Sequence, residues 1–173
     1  MPRSLRWTPA CIGVGSNLDD PVRQVRLAID ALARIPATRL ERVSGLYRNP
    51  PMGPADQPPY VNAVALLLTR LSPHDLLDEL QSIERRQGRG RVGRARWGPR
   101  EIDLDILTFA SRTIDDDRLR VPHPGISQRN FVLFPLMQLA PQLDVPGLGR
   151  LESLAGKLDA AELEPVAGSI PIS

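Results

Sequence analysis

Lysine is nearly missing from this 173-residue chain, where Lys157 stands alone. Any anion site must therefore rest on arginine, backbone N–H groups or metal. Cysteine is as scarce. Cys11 alone excludes an intramolecular disulfide, and within an apolar run it reads as a small buried strand residue rather than a nucleophile. No apolar run approaches the roughly 18 residues of a membrane-spanning helix. The basic start (Arg3, Arg6) leads into too short a hydrophobic stretch for a signal peptide. A cytoplasmic protein with no membrane partner is expected. Gly-Lys-Ser/Thr occurs nowhere, which excludes a Walker loop. Gly13-Val14-Gly15-Ser16-Asn17-Leu18 lacks the third glycine of a dinucleotide fingerprint.

What remains is ordinary globular material, 42% hydrophobic and 24% charged. One domain over residues 1–173 is expected, with residues 164–173 frayed. Net charge is only +2 although the pI is about 9.2, so the basic character is local.

Its locality is easy to find. Residues 85–100 hold Arg85, Arg86, Arg89, Arg91, Arg94, Arg96 and Arg100, interleaved with Gly88, Gly90, Gly93 and Gly98. Directly after them Ile102, Leu104 and Ile106 alternate with Asp103 and Asp105, the pattern of a half-buried strand. Residues two apart in a strand point the same way about 6.6 Å apart. Two carboxylates so placed repel each other unless a cation lies between them. Magnesium prefers oxygen ligands and is commonly held by one or two carboxylates together with substrate phosphates. Arginine forks match phosphate oxygens. Carboxylates for metal beside arginines for phosphate are the parts needed for phosphoryl-type transfer.

The rest of the chain frames that stretch. Residues 10–14 read as a first strand, and Gly15-Ser16-Asn17 as a turn. Asp19 or Asp20 is placed to cap a helix with Pro21 in its first turn and Val22, Val25, Ala28, Ile29 and Leu32 on its apolar stripe. Residues 39–48 read as a second strand. Asn49 to Tyr60 carries five prolines in twelve residues, too long and stiff a loop to be idle. Tyr60–Leu68 reads as a buried third strand in which Asn62 needs a partner for its amide. Ser72-Pro73-His74-Asp75 opens a helix that Gly88 ends. Gln81 and Glu84 fall late on it, and both read as surface residues. His74 reads as a solvated first-turn residue and Asp115-Asp116-Asp117 as a solvated turn. Thr113-Ile114 reads as a short strand. Val121-Pro122-His123-Pro124 is loop, Phe131–Leu139 a helix containing Pro135, and Leu151, Leu154 and Leu158 mark one more.

The order β-α-β-β-α-β plus a helical tail predicts an α+β fold. Its core would be a ferredoxin-like split β-α-β unit, an antiparallel sheet with helices on one face and a helical C-terminal extension.

At this point the residues resemble a known family. Arg96-x-Gly-Pro-Arg-x-x-Asp-Leu-Asp-Ile-Leu107 looks like the signature of the hydroxymethyl-dihydropterin pyrophosphokinases of folate synthesis. Gly15-Ser16-Asn17-Leu18, Tyr47-Arg48-x-Pro-Pro-x-Gly-Pro54, Gln57-Pro58-x-Tyr60-x-Asn62, Ile83-Glu84 with Gln87-Gly88-Arg89, Val121-Pro122-His123 and Arg129-x-Phe131 follow the family's order. The resemblance implies transfer of the terminal diphosphate of ATP to the hydroxymethyl oxygen of a dihydropterin, with release of AMP. It implies two Mg²⁺ ions on Asp103 and Asp105, and catalytic arginines at Arg89 and Arg100. It assigns Gln81, Glu84, Arg91, Trp97, Ile106, His123 and Arg129 to ATP. It assigns Asn49, Pro50, Met52, Tyr60, Asn62 and Phe131 to the pterin. A monomer acting on small molecules is expected.

Two other readings compete. An arginine-rich nucleic-acid-binding module explains the arginines but not Asp103 and Asp105, which would repel phosphate without metal. It also lacks interleaved aromatics, with only Trp97 in the loop. A non-catalytic nucleotide-binding relative is disfavoured by retention of both aspartates together with Arg89 and Arg100.

Overall fold

The computed structural model describes residues 6–18, 20–50, 58–88, 102–161 and 163–168. In chain order these form β1 (Thr8–Ser16), α1 (Pro21–Leu32), β2 (Thr38–Val43), β3 (Tyr47–Asn49), β4 (Tyr60–Thr69) and α2 (Pro73–Arg86). There follow β5 (Asp103–Phe109), β6 (Ile114–Asp115), β7 (Arg120–Val121), α3 (Asn130–Leu139), β8 (Asp144–Val145), β9 (Gly149–Arg150), α4 (Leu151–Ala155) and β10 (Glu164–Pro165).

Local chemistry sets the helix ends. Asp20 accepts the Arg23 N–H at 3.4 Å to open α1, with Pro21 in the first turn. Ser72 accepts the Asp75 N–H at 3.1 Å to open α2. Gly88, at φ 99°, closes α2 in a conformation that only glycine adopts cheaply.

The main sheet runs β10-β3-β4-β1-β5, with β2 also on β4, and all its pairings are antiparallel. The expected second strand over 39–48 is two strands. Ser44 breaks it: its Oγ accepts the Val64 N–H at 2.9 Å and donates to the Gly45 carbonyl at 2.8 Å, so a side chain replaces part of the ladder.

Residues opposite one another in an antiparallel pair share a face. Ile12, Val14, Ala63, Ala65, Leu104 and Ile106 face α1 and α2, and meet Val25, Ala28, Leu32, Leu76, Leu80 and Ile83 in one core. Cys11, Val64 and Leu107 face the other way and meet Val132, Leu133 and Leu136 of α3 with Leu151 and Leu154 of α4. Helices therefore cover both faces, where one was expected. The composition of α3 explains this: Asn-Phe-Val-Leu-Phe-Pro-Leu-Met-Gln-Leu is apolar nearly all round, as suits a helix buried between neighbours.

Smaller departures follow. Ile114–Asp115 pairs with Arg120–Val121, making a hairpin rather than extending the sheet. Its turn is tied down: Asp116 accepts the Arg118 and Leu119 N–H groups, each at 2.9 Å, and pairs with His74 at 2.7 Å. Neither His74 nor Asp116 is merely solvated. Residues 164 and 165, expected to fray, pair with β3, and the next residue, Val166, is buried with its N–H donating to the Leu46 carbonyl at 2.9 Å.

Candidate active site

The polar residues of the sheet face that carries α3 gather at one end of it. One row across the sheet reads Tyr47–Asn62–Gly15–Asp103 through successive cross-strand pairs. The next row sets Gly13 between Val64 and Asp105. Asn49 pairs with Tyr60 and so points to this face too. Asp103 and Asp105 are both half-exposed, while the intervening Leu104 is buried at 3%. The alternation read from the sequence is what the strand displays.

Gly15 makes the juxtaposition possible. A Cβ there would lie 2.4 Å from Asn62 Oδ1, so a side chain on β1 would evict the amide. The Asn62 amide is buried and donates from Nδ2 to Asn49 Oδ1. Asn49 in turn donates to the Pro50 carbonyl at 3.1 Å. Asn62 thus has a structural partner and remains at the mouth of the proline-rich stretch.

β5 ends the sheet, and its Leu107 carbonyl accepts the His123 N–H at 2.9 Å. The imidazole reaches back towards the strand, with Nε2 3.7 Å from Asp105 Oδ2. The Gly125 N–H donates to Nδ1 at 2.9 Å, so the neutral ring carries its proton on Nε2, facing the carboxylate. Burial lowers the His123 pKa, the Arg129 guanidinium lowers it further, and Asp103 pulls it up. The ring is therefore neutral near pH 7. Gly125 is packed tightly here, for a Cβ would lie 3.0 Å from both His123 Nδ1 and Arg129 Cδ. Arg129 precedes α3, its guanidinium 6.0 Å from the centre of the Phe131 ring in the first turn.

Glu84 corrects an expectation. It is 2% exposed, not at the surface, and its carboxylate accepts the Leu104 N–H at 3.0 Å. It holds β5 between the two aspartates. The signal was present in the sequence: Glu84 lies four residues after Leu80 and seven after Leu77, on the apolar stripe of α2. Gln81, three residues earlier, is half-exposed and accepts from Arg118 at 3.4 Å, while Arg118 also bonds Asp78. Arg118 and Gly125 were not singled out by the sequence reading. Arg118 reaches α2 only through the hairpin turn, which carries no local signal.

Ile106 lies in the core at 3% exposure, and Pro50 is exposed. Arg89, Arg91, Trp97, Arg100 and Met52 lie outside the described residues. Asp103, Asp105, His123, Arg129, Tyr60, Asn62, Asn49 and Phe131 do share this end of the molecule. No helix among the described residues is long and apolar enough to cross a membrane.

The profile of the 7,8-dihydro-6-hydroxymethylpterin-pyrophosphokinase (HPPK) family matches residues 11–141. The chain belongs to this family. A 2-amino-4-hydroxy-6-hydroxymethyldihydropteridine pyrophosphokinase from Pseudomonas aeruginosa is 49% identical over 158 residues, covering 91% of this chain and 96% of that one. One from Haemophilus influenzae is 47% identical over 137 residues, covering 79% and 84%. Among solved structures, wild-type Plasmodium falciparum HPPK-DHPS with pteroate superposes with a TM-score of 0.71 at 14% identity. That likeness speaks to the fold alone. It spans 91% of this chain but 43% of the Plasmodium chain, so this chain matches less than half of that larger protein.

Proposed function

We propose that this HPPK-family chain transfers diphosphate from Mg-ATP to the hydroxymethyl group of 6-hydroxymethyl-7,8-dihydropterin, releasing AMP, in folate biosynthesis. The hydroxymethyl oxygen attacks the β-phosphorus, the bond from that phosphorus to the α-phosphate oxygen breaks, and the hydroxyl proton leaves. The observation that carries this reading is the row Asn62–Gly15–Asp103, which sets a buried amide beside a half-exposed carboxylate across a single glycine.

The donors fit magnesium of a particular kind. Asp103 and Asp105 offer hard oxygens on one strand face, yet no cluster of three or more metal-binding side chains exists among the described residues. Such a pair suits an ion that takes its remaining ligands from phosphate and water. We assign two Mg²⁺ ions there. When bound, magnesium neutralises phosphate charge as the diphosphate moves. Neutral His123 offers its Nε2–H at the edge of the phosphate site, and Arg129 offers a fixed positive charge. Glu84 acts from behind the strand, fixing where Asp103 and Asp105 emerge. Arg89 and Arg100 are assigned to the phosphates as catalytic arginines, and Gln81, Arg91, Trp97 and Ile106 to the nucleotide, on the strength of the family resemblance.

On the other side, Tyr60 and Phe131 supply the aromatic faces that a flat heterocycle needs, and the Asn49–Asn62 pair supplies a buried polar edge. Pro50 and Met52 complete that pocket in this reading. The gain in rate comes from alignment of the hydroxyl with phosphorus and from charge neutralisation, with no general base assigned.

The core is read as a ferredoxin-like split β-α-β unit, supported by the order β3-β4-β1-β5 with α1 and α2 as crossovers. We read residues 1–173 as a single catalytic domain, monomeric and cytoplasmic, with no nucleic-acid partner. The test is the nucleotide product. Purified protein with Mg²⁺, ATP and hydroxymethyl-dihydropterin should yield AMP, and ADP as the product would contradict the assignment. Tight, salt-sensitive oligonucleotide binding would instead favour the nucleic-acid module.

A further inference from the structure

Asn49 stands at the end of a strand only three residues long, and Phe131 in the first turn of a helix interrupted by Pro135. Neither element is stiff by itself. Pro135 has no N–H for the Phe131 carbonyl four residues back, so the first turn of α3 lacks one of its own hydrogen bonds. What fixes the two elements against each other lies at the far end of α3.

Gln138 Oε1 accepts the Gly45 N–H at 3.1 Å, just before β3. The same amide is hydrogen-bonded to the Tyr47 phenol, on the strand itself. The next residue ties the same end of α3 to β2, where Arg42 Nη1 donates to the Leu139 carbonyl at 2.8 Å. Phe131 and Gln138 are seven residues apart, so they lie on one stripe of α3, two turns or roughly 10 Å along its axis. Tyr47 is opposite Asn62 and two residues from Asn49, all on the face that α3 covers. α3 thus behaves as a bar whose distal end is pinned to β3 and whose proximal end presents Phe131 to the site.

We infer that Gln138, with Tyr47, is a positioning residue that sets the spacing between the Phe131 ring and the Asn49–Asn62 amide pair, and so governs affinity for the pterin rather than for ATP. This rests on the functional reading above. Asp103, Asp105 and His123 hang from β5 at the opposite edge of the row and do not depend on this tie.

The experiment is steady-state kinetics on the full chain, varying pterin at saturating Mg-ATP and ATP at saturating pterin. Gln138→Leu should raise KM for the pterin about threefold to tenfold, the range for one or two lost hydrogen bonds, and raise KM for ATP much less, because Arg129 alone of the ATP-side groups rides on α3. Gln138→Glu keeps an acceptor for the Gly45 N–H and should restore most of the affinity. Tyr47→Phe should give a smaller rise in the same direction, and it carries the test if Gln138→Leu does not fold. A lower thermal midpoint with pterin KM unchanged, or equal rises in both KM values, would overturn the inference and leave a helix anchor only. Should the wild type release no AMP, the reaction assignment fails by itself. The same split is then read from equilibrium binding of the pterin with Mg²⁺ and a non-hydrolysable ATP mimic.

Discussion

Asn62 and Asp103 flank the same glycine, yet the two sides of Gly15 are built differently. On the Asn62 side the polar groups are sealed: Asn62 and Asn49 are 9% and 4% exposed and bonded to each other. On the Asp103 side the carboxylates stand half in water, with the Asp105 side chain 41% exposed. Sealed amides recognise by penalty, because a ligand that does not match leaves a buried donor or acceptor unpaired. Open carboxylates lose little hydration in the folded chain, and under the proposed function they leave room for ions that arrive with the nucleotide. In the proposed reading, one half is finished before substrate binds, and the other is completed by the substrate.

That contrast breaks most visibly at the carboxylates. Asp103→Asn or Asp105→Asn should lower kcat about a hundredfold to a thousandfold, as expected when a charge-stabilising group is lost, while unfolding free energy shifts by less than about 0.5 kcal/mol. Activity assays beside chemical denaturation check both. If both variants lost folding stability and activity together, the pair would belong to the scaffold and the contrast would vanish.

The sealed half should respond the opposite way. Gly15→Ala places a methyl where Asn62 Oδ1 now lies, 2.4 Å away. Overpacking of this kind costs about 1–3 kcal/mol of stability. Pterin KM should rise with it, and ATP KM should change far less. An unperturbed pterin KM would mean that the amide has nothing to do with the heterocycle.

Glu84→Leu sits between the two. It strips the partner from the buried Leu104 N–H, a loss of about 1–3 kcal/mol, and loosens the strand that aims both aspartates. Glu84→Gln retains an acceptor oxygen and should recover most of the stability and turnover. A Gln variant as damaged as the Leu variant would show that the charge of Glu84, and not its hydrogen bond, matters.

The smallest effect is in pH. The folded pKa of His123 lies below its ordinary value of 6.5, so the unfolded chain binds this proton more readily. Its neutral form contributes stability that is fully present above about pH 6.5 and is lost as pH falls from there through the lowered folded value. Thermal midpoints should fall less steeply below that pH in His123→Asn than in the wild type. Parallel curves would remove His123 from the acid sensitivity of the fold.

Much of this architecture was legible from residues alone. Alternation gave the two faces of β5, Ser72 gave one helix start, the Asp19-Asp20 pair left the other open between two residues of which Asp20 is the cap, and Gly88 gave a helix end. What escaped has physical reasons. Glu84 reads as surface by its charge and as core by its position, and position wins because a strand N–H awaits it. β10 is two residues of strand that exist only because β3 offers an edge, which no local pattern announces. Burial of α3 on the second sheet face depends on its packing against Cys11, Val64 and Leu107 from three strands, a tertiary matter. Gly125 holds His123 and Arg129 through close approach, and a lone glycine in a loop says nothing about what it approaches.

The most direct test of the central claim is a crystal structure of the chain with Mg²⁺, a non-hydrolysable ATP mimic and hydroxymethyl-dihydropterin. It should show magnesium ligated by Asp103 and Asp105 with phosphate oxygens filling the remaining positions, and the pterin stacked between Tyr60 and Phe131 against the Asn62 amide. Nucleotide phosphates bound with no metal at the two aspartates would contradict it.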